Sequence, residues 1–203
     1  LAFNATTPKY SSLYSRWLSN PGALLDFASF DPSQSLLDLC GGTGAVSLEA
    51  LRRNASRPTL VDLSPRCTDT RVFQVKGDVH NPSTFENLSQ FDLCVIRQSI
   101  GYLNPVKLSP VLASVIKPGG KLVFNTFIKP RWKFSSYTFE NKRFFEASGH
   151  VSNFVFHLQS NFLNADISIF RHHTVSCLVS SFQHFTPLSI QISNRSVHFL
   201  FRR

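Results

Sequence analysis

Leu36-Leu37-Asp38-Leu39-Cys40-Gly41-Gly42-Thr43-Gly44-Ala45-Val46-Ser47 decides how the rest of the chain is read. An apolar strand runs straight into a glycine-rich turn and from there into a helix. Glycines at 41, 42 and 44 tolerate positive φ and carry no Cβ, so a small ligand can close on the main chain. The helix that follows presents unpaired N–H groups and the positive end of its dipole, where a carboxylate sits well.

Such a loop also opens dinucleotide-binding folds, and a glycine cluster can simply make a tight turn. The residues downstream discriminate. Thr59-Leu60-Val61 is a second apolar strand ending on Asp62, about 20 residues beyond the glycines, where a Rossmann-like sheet sets an acid against ribose hydroxyls. Val72-Phe73-Gln74-Val75 is followed by Gly77-Asp78-Val79, and Phe91 to Ile96 runs into Arg97-Gln98-Ser99. Lys117-Pro118-Gly119-Gly120 then makes a turn before a fifth strand, Lys121 to Phe127. In a G-x-G-x-x-G dinucleotide loop the third glycine would fall at Val46 or Ser47, which weakens that alternative.

This order resembles the class I S-adenosylmethionine-dependent methyltransferases, of the small-molecule type, well over residues 10 to 127 and loosely beyond. The family's acidic strand end and glycine loop read Asp38-x-Cys40-x-Gly42-x-Gly44, with Cys40 where many members carry glycine. The resemblance implies an α/β fold: a Rossmann-like, mostly parallel seven-stranded sheet with helices on both faces and a small antiparallel β-insertion after the fifth strand. It implies S-adenosyl-L-methionine as cofactor and S-adenosyl-L-homocysteine as product. Asp38, Leu39, Cys40, Gly41, Gly42 and Gly44 would border the methionine end. Asp62 would take the ribose hydroxyls beside Leu63 and Ser64, and Asp78 with the Val79 amide would read the adenine. Tyr10, Arg16, Arg97, Gln98 and Ser99 complete the implied cofactor set.

Composition sets the outer bounds. The 203 residues suffice for one domain with a sizeable core, and no apolar run reaches the length of a membrane span. The start, Leu1 to Pro8, lacks the basic flank and long apolar centre of a signal peptide, and the absence of methionine even at position 1 points to a trimmed or incompletely recorded start. Cys40, Cys67, Cys94 and Cys177 have neither C-x-x-C spacing nor zinc-finger histidines, so no metal site is expected and a reducing, cytoplasmic setting is. Four Asn-x-Ser/Thr sequons carry little weight without a secretory signal. Of the +9 net charge, residues 1–127 contribute 12 Lys/Arg against 9 Asp/Glu and residues 128–203 contribute 9 against 3. That basic last third either steers an anionic partner or is a solvated surface.

Along the chain the reading is one domain, 1–203, with N-terminal lid helices over 1–34, a cofactor-binding core over 35–127, a β-insertion or substrate flap over 128–173, and a final helix and strands over 174–203. Helices are expected from Ala45 to Arg53 and about Pro105 to Ile116. Only 15 residues separate Asp62 from Asp78, so a helix starting near Ser64-Pro65 has room for a turn or two. Twelve of the 20 phenylalanines lie in 128–203, in alternating runs that read as antiparallel strands over roughly 134–171. A helix from Thr174 to Phe182 and strands at Leu188 to Ile192 and Ser196 to Phe201 would close the sheet.

A cofactor that carries an activated methyl leaves the protein mainly the task of aligning a nucleophile. Ligands of open α/β sheets bind beyond the carboxyl ends of the strands, which places Tyr102 with Arg97, Gln98 and Ser99 at the mouth of the methyl-transfer pocket. Tyr10, Tyr14 and Trp17 share one face of an N-terminal helix that resembles the family's lid. His173, beside His172, is the candidate base for an acceptor that needs deprotonation. The candidate catalytic residues are therefore His173, Tyr14 and Tyr102. The leading expectation is methyl transfer to a nitrogen or oxygen of a small molecule, with a homodimer possible and no membrane partner. Methylation of RNA or protein, and a non-catalytic cofactor-binding protein, are the alternatives.

Overall fold

The computed structural model describes residues 20–127, 133–139, 142–148, 154–157, 168–171, 175–193 and 196–203, with side chains at 20–126, 175–191 and 197–203. Helix α1, Pro21–Phe27, is capped by the Asn20 side chain and leads to β1, Leu36–Leu39. The glycine loop follows, then α2, Ala45–Arg52, and the strands β2, Thr59–Asp62, and β3, Phe73–Lys76. Beyond β4, Phe91–Arg97, the chain makes a 3-10 turn at Ile100–Tyr102 and enters α3, Pro105–Val115. Strand β5, Ile116–Phe127, precedes β6, Lys133–Phe139, β7, Lys142–Ser148, β8, Phe154–His157, and β9, Ser168–Arg171. The chain finishes with α4, Val175–Ser181, β10, Thr186–Ser193, and β11, Ser196–Arg202.

Seven strands form one sheet in the order β10-β11-β5-β4-β1-β2-β3. The pairs β1–β2, β1–β4, β2–β3 and β4–β5 are parallel, and β11 runs antiparallel to both its neighbours. Strands β6–β7 and β8–β9 form two small antiparallel pairs, as the alternating phenylalanine runs led us to expect. Period-two alternation sends Leu36, Leu93, Val95 and Val123 to one face, against α1 and α2, and Leu37, Leu39, Cys94, Ile96, Leu122 and Phe124 to the other, against α3 and α4. On that second face Phe124 stacks on Phe199 with centroids 4.8 Å apart and meets Phe182 at 5.2 Å. No described helix is long and apolar enough to cross a membrane.

Two local expectations are corrected. No helix forms after Ser64, and residues 65–69 have no regular secondary structure. The Cys67 amide N–H donates to Gln74 Oε1 at 3.1 Å, the Gln74 amide returns a bond to the Cys67 carbonyl at 2.8 Å, and Cys67 and Val72 sink into a small cluster with Leu51 and Leu60. The turn at Lys117–Gly120 is real but lies within β5. Ile116 already pairs with Phe91, and Lys121 next pairs with Leu93, so the intervening residues bulge from the ladder. Arg203 pins that bulge by accepting from the Gly119 N–H and donating its own N–H to the Gly120 carbonyl.

Candidate active site

The parallel strands deliver four connections to one edge of the sheet: 40–44, 63–67, 77–80 and 98–104. In the first, the Cys40 N–H donates to the Val61 carbonyl at 2.7 Å, and the backbone then turns left-handed at Cys40, Gly42 and Gly44. Gly42 has a φ of 54°, and a Cβ built there meets nothing within 4 Å, so the loop offers bare main chain to open space. Gly41 is needed for a different reason: its Cβ would sit 2.7 Å from the Asp38 carboxylate.

Asp62 ties the first connection to the second. Its Oδ2 accepts from the Gly42 N–H at 3.0 Å and its Oδ1 from the Ser64 N–H at 2.8 Å. Each carboxylate oxygen has two acceptor positions, so two further hydroxyl donors can be taken without breaking either bond. Leu63, between them, is an apolar side chain left 67% exposed.

Asp38 is fully buried and turned inward. Gly44 caps α2 without a side chain, and the Asp38 carboxylate serves instead, its Oδ2 accepting from the Ser47 N–H at 3.0 Å and the Ser47 hydroxyl at 2.9 Å. Burial pushes its carboxyl up to about 6, while the Ser47 bonds and the charge of Arg97 pull the other way. Its second oxygen, Oδ1, has no hydrogen-bond partner. Burial likewise pushes the Cys40 and Cys94 thiols up, away from the thiolate form.

After β3, the Asp78 carboxylate is held low by the His80 N–H first, with help from the His80 ring. Val79 is buried in the core, and so is Leu39, which leaves both only main chain to offer a ligand. After β4, Gln98 adopts a φ of 58° and is buried, its N–H donating to Asn125 Oδ1 at 2.9 Å. Arg97 stands level with Asn125 across the β4–β5 ladder, on the face of the sheet that carries Asp38. The Ser99 hydroxyl donates to the Arg97 carbonyl at 3.2 Å, and Tyr102 closes the 3-10 turn with its N–H on the Ser99 carbonyl. Strand β9 lies against that turn.

Thus Asp38, Cys40, Gly41, Gly42, Gly44, Asp62, Leu63, Ser64, Asp78, Arg97, Ser99 and Tyr102 gather at the carboxyl edge. Tyr10, Tyr14, Arg16 and His173 lie outside the described residues. Ser47, His80 and Asn125 were not singled out by sequence. Ser47 is the one with a readable signal, a hydroxyl in the first turn of a helix whose cap position is glycine. Among the described residues, no three His, Cys, Asp or Glu side chains group as metal ligands.

A family model described as a methyltransferase domain matches residues 14–164. No curated protein matches by sequence. Among solved structures, an S-adenosylmethionine-dependent methyltransferase from Clostridium acetobutylicum is 14% identical, with TM-score 0.67 over 100% of this chain and 99% of that one. The glycopeptide N-methyltransferase MtfA, complexed with S-adenosyl-L-methionine, is 16% identical with TM-score 0.62 over 91% and 94% of the two chains. The 1,6-didemethyltoxoflavin-N1-methyltransferase of Burkholderia thailandensis, with its substrate and S-adenosylhomocysteine bound, is 16% identical with TM-score 0.60 over 91% and 76%.

Proposed function

The chain belongs to the methyltransferase-domain family, and we propose that it is an S-adenosylmethionine-dependent enzyme that transfers the methyl group to a nitrogen or oxygen of a small molecule. When bound, the cofactor supplies a methyl activated by a cationic sulfur. The residues present fit it: open space over Gly42 admits it against bare main chain, and the buried, unpartnered Oδ1 of Asp38 is a site for a cationic or N–H donor. The tie between Gly42 and Asp62 is the observation that carries this reading, since it sets an acid with spare acceptor positions beside the open loop.

In this reading Asp62 takes the ribose hydroxyls, Asp78 and the Val79 N–H take the adenine, and Arg97, Ser99 and Tyr102 face the acceptor side. The 3-10 turn at Ile100–Tyr102, with β9 against it, is the wall on which an acceptor would be aligned. MtfA is a glycopeptide N-methyltransferase and the Burkholderia enzyme a 1,6-didemethyltoxoflavin-N1-methyltransferase, which supports a nitrogen acceptor. Incubation with labelled cofactor and a metabolite extract, followed by mass analysis, names the acceptor. For the cofactor end, Asp62→Ala is expected to abolish S-adenosylhomocysteine binding in calorimetry, and an unchanged affinity refutes the ribose assignment.

A further inference from the structure

Asp78 lies after β3 and Asn104 at the start of α3, and one side chain touches both. The Asn104 N–H donates to His80 Nε2 at 3.0 Å. A ring that accepts at Nε2 carries its proton at Nδ1, and Nδ1 stands 3.1 Å from Asp78 Oδ1, to which it donates. The His80 N–H donates to that same oxygen at 2.9 Å, and the Thr84 hydroxyl donates to the Asp78 carbonyl at 2.8 Å. Both bonds to the carboxylate therefore fall on Oδ1. Oδ2 has no described partner, and the Asp78 side chain is 57% exposed. A short side chain held at one oxygen by backbone and ring together is not free to rotate, so Oδ2 keeps one direction.

We propose that His80 is a positioning residue for nucleobase recognition. Through Nδ1–H it aims Asp78 Oδ2 at the exocyclic amine of a 6-aminopurine, and through Nε2 it fixes that acid to the Ile100–Asn104 segment on the acceptor side. The proposal rests on the reading of Asp78 as the acid at the adenine end. A fixed carboxylate accepts from an amine but meets the lone pairs of a 6-oxo group, so the arrangement selects adenosyl over inosyl ligands.

Two substitutions separate the arms, because asparagine places an amide nitrogen near the Nδ1 position and glutamine an amide oxygen near Nε2. Calorimetry with S-adenosylhomocysteine and S-inosylhomocysteine on the wild type, His80→Asn and His80→Gln is the test. The wild type should prefer the adenosyl ligand. His80→Gln should lose roughly fivefold to tenfold of adenosyl affinity with inosyl affinity unchanged, and His80→Asn should keep both within about twofold. Equal losses for both ligands in His80→Gln, no loss at all, or collapsed selectivity in His80→Asn overturns the proposal. Should His80→Gln not fold, His80→Asn decides alone, retained selectivity supporting the proposal and lost selectivity overturning it. A wild type that binds neither ligand removes the cofactor reading of Asp78, and the role of His80 with it.

Discussion

Neighbouring glycines in the loop do different work. Gly41→Ala drives a Cβ into the Asp38 carboxylate and is expected to cost about 1 to 3 kcal/mol of stability in urea unfolding. Gly42→Ala meets open space and pays only for its left-handed backbone, about 1 kcal/mol, yet it fills the surface a ligand would use. Calorimetry should therefore show an affinity loss at Gly42→Ala out of proportion to its change in unfolding midpoint. Asp38 gives a pH signature. Its folded carboxyl sits at about 6 against 3.8 for the free side chain, so the native state keeps a proton that the unfolded chain releases. Stability drawn from this group falls as pH rises from about 4 to about 6 and is level above, a change of roughly 2 to 3 kcal/mol. In Asp38→Asn that decline should be absent when unfolding is measured across the same range.

Elements are held at the opposite edge of the sheet by a polar cluster remote from the site. Asp92, on β4, accepts from the Ser35 N–H at 2.9 Å and its hydroxyl at 2.6 Å, and from Lys117 Nζ at 2.9 Å. Burial alone would raise its carboxyl, but these bonds outweigh it and hold the group at about 2. Lys117 is 45% exposed and Asp92 32%, so solvent screens the pair. Lys117→Ala is expected to cost only about 0.5 to 1 kcal/mol. A depressed acid stabilises above its unfolded value and loses that contribution as it is protonated. The gap between wild type and Lys117→Ala should therefore narrow as pH drops from about 4 toward about 2 in denaturant titrations. Helix α3 shows another economy: Pro110 stands inside it on the exposed side, where a missing N–H leaves a carbonyl that water can satisfy.

Across the whole molecule, stability is concentrated where β5 and β11 meet under α4. Phe124 is fully buried and packs against Phe182, Phe199 and Phe201. Phe124→Ala is expected to cost about 3 to 5 kcal/mol. Phe73, on the edge strand β3, is 39% exposed with Arg57 over its ring at 4.9 Å. Phe73→Ala is expected to cost about 1 kcal/mol or less, and urea unfolding of the two variants separates the centre of the fold from its rim. Phe124 is level with Ile96 and Ile96 with Leu39, so the aromatic cluster lies two strands across the sheet from the strand that opens the glycine loop.

Sequence by itself determined the strand ends and the glycine loop, because parallel strands buried on both faces read as apolar runs and bare turns read as glycine. Leu36–Leu39, Phe91–Ile96 and the strand end at Asp62 were legible for that reason, whereas Asp78 was picked out through the family resemblance. Only the tertiary structure decided what the polar side chains between those runs do. The Gln74 amide cancels a helix by bonding Cys67, Asn125 takes the Gln98 N–H from another strand, and His80 joins two connections that are 24 residues apart. Such bonds depend on which strands become neighbours, a choice made by the crossovers of the sheet and by no local pattern.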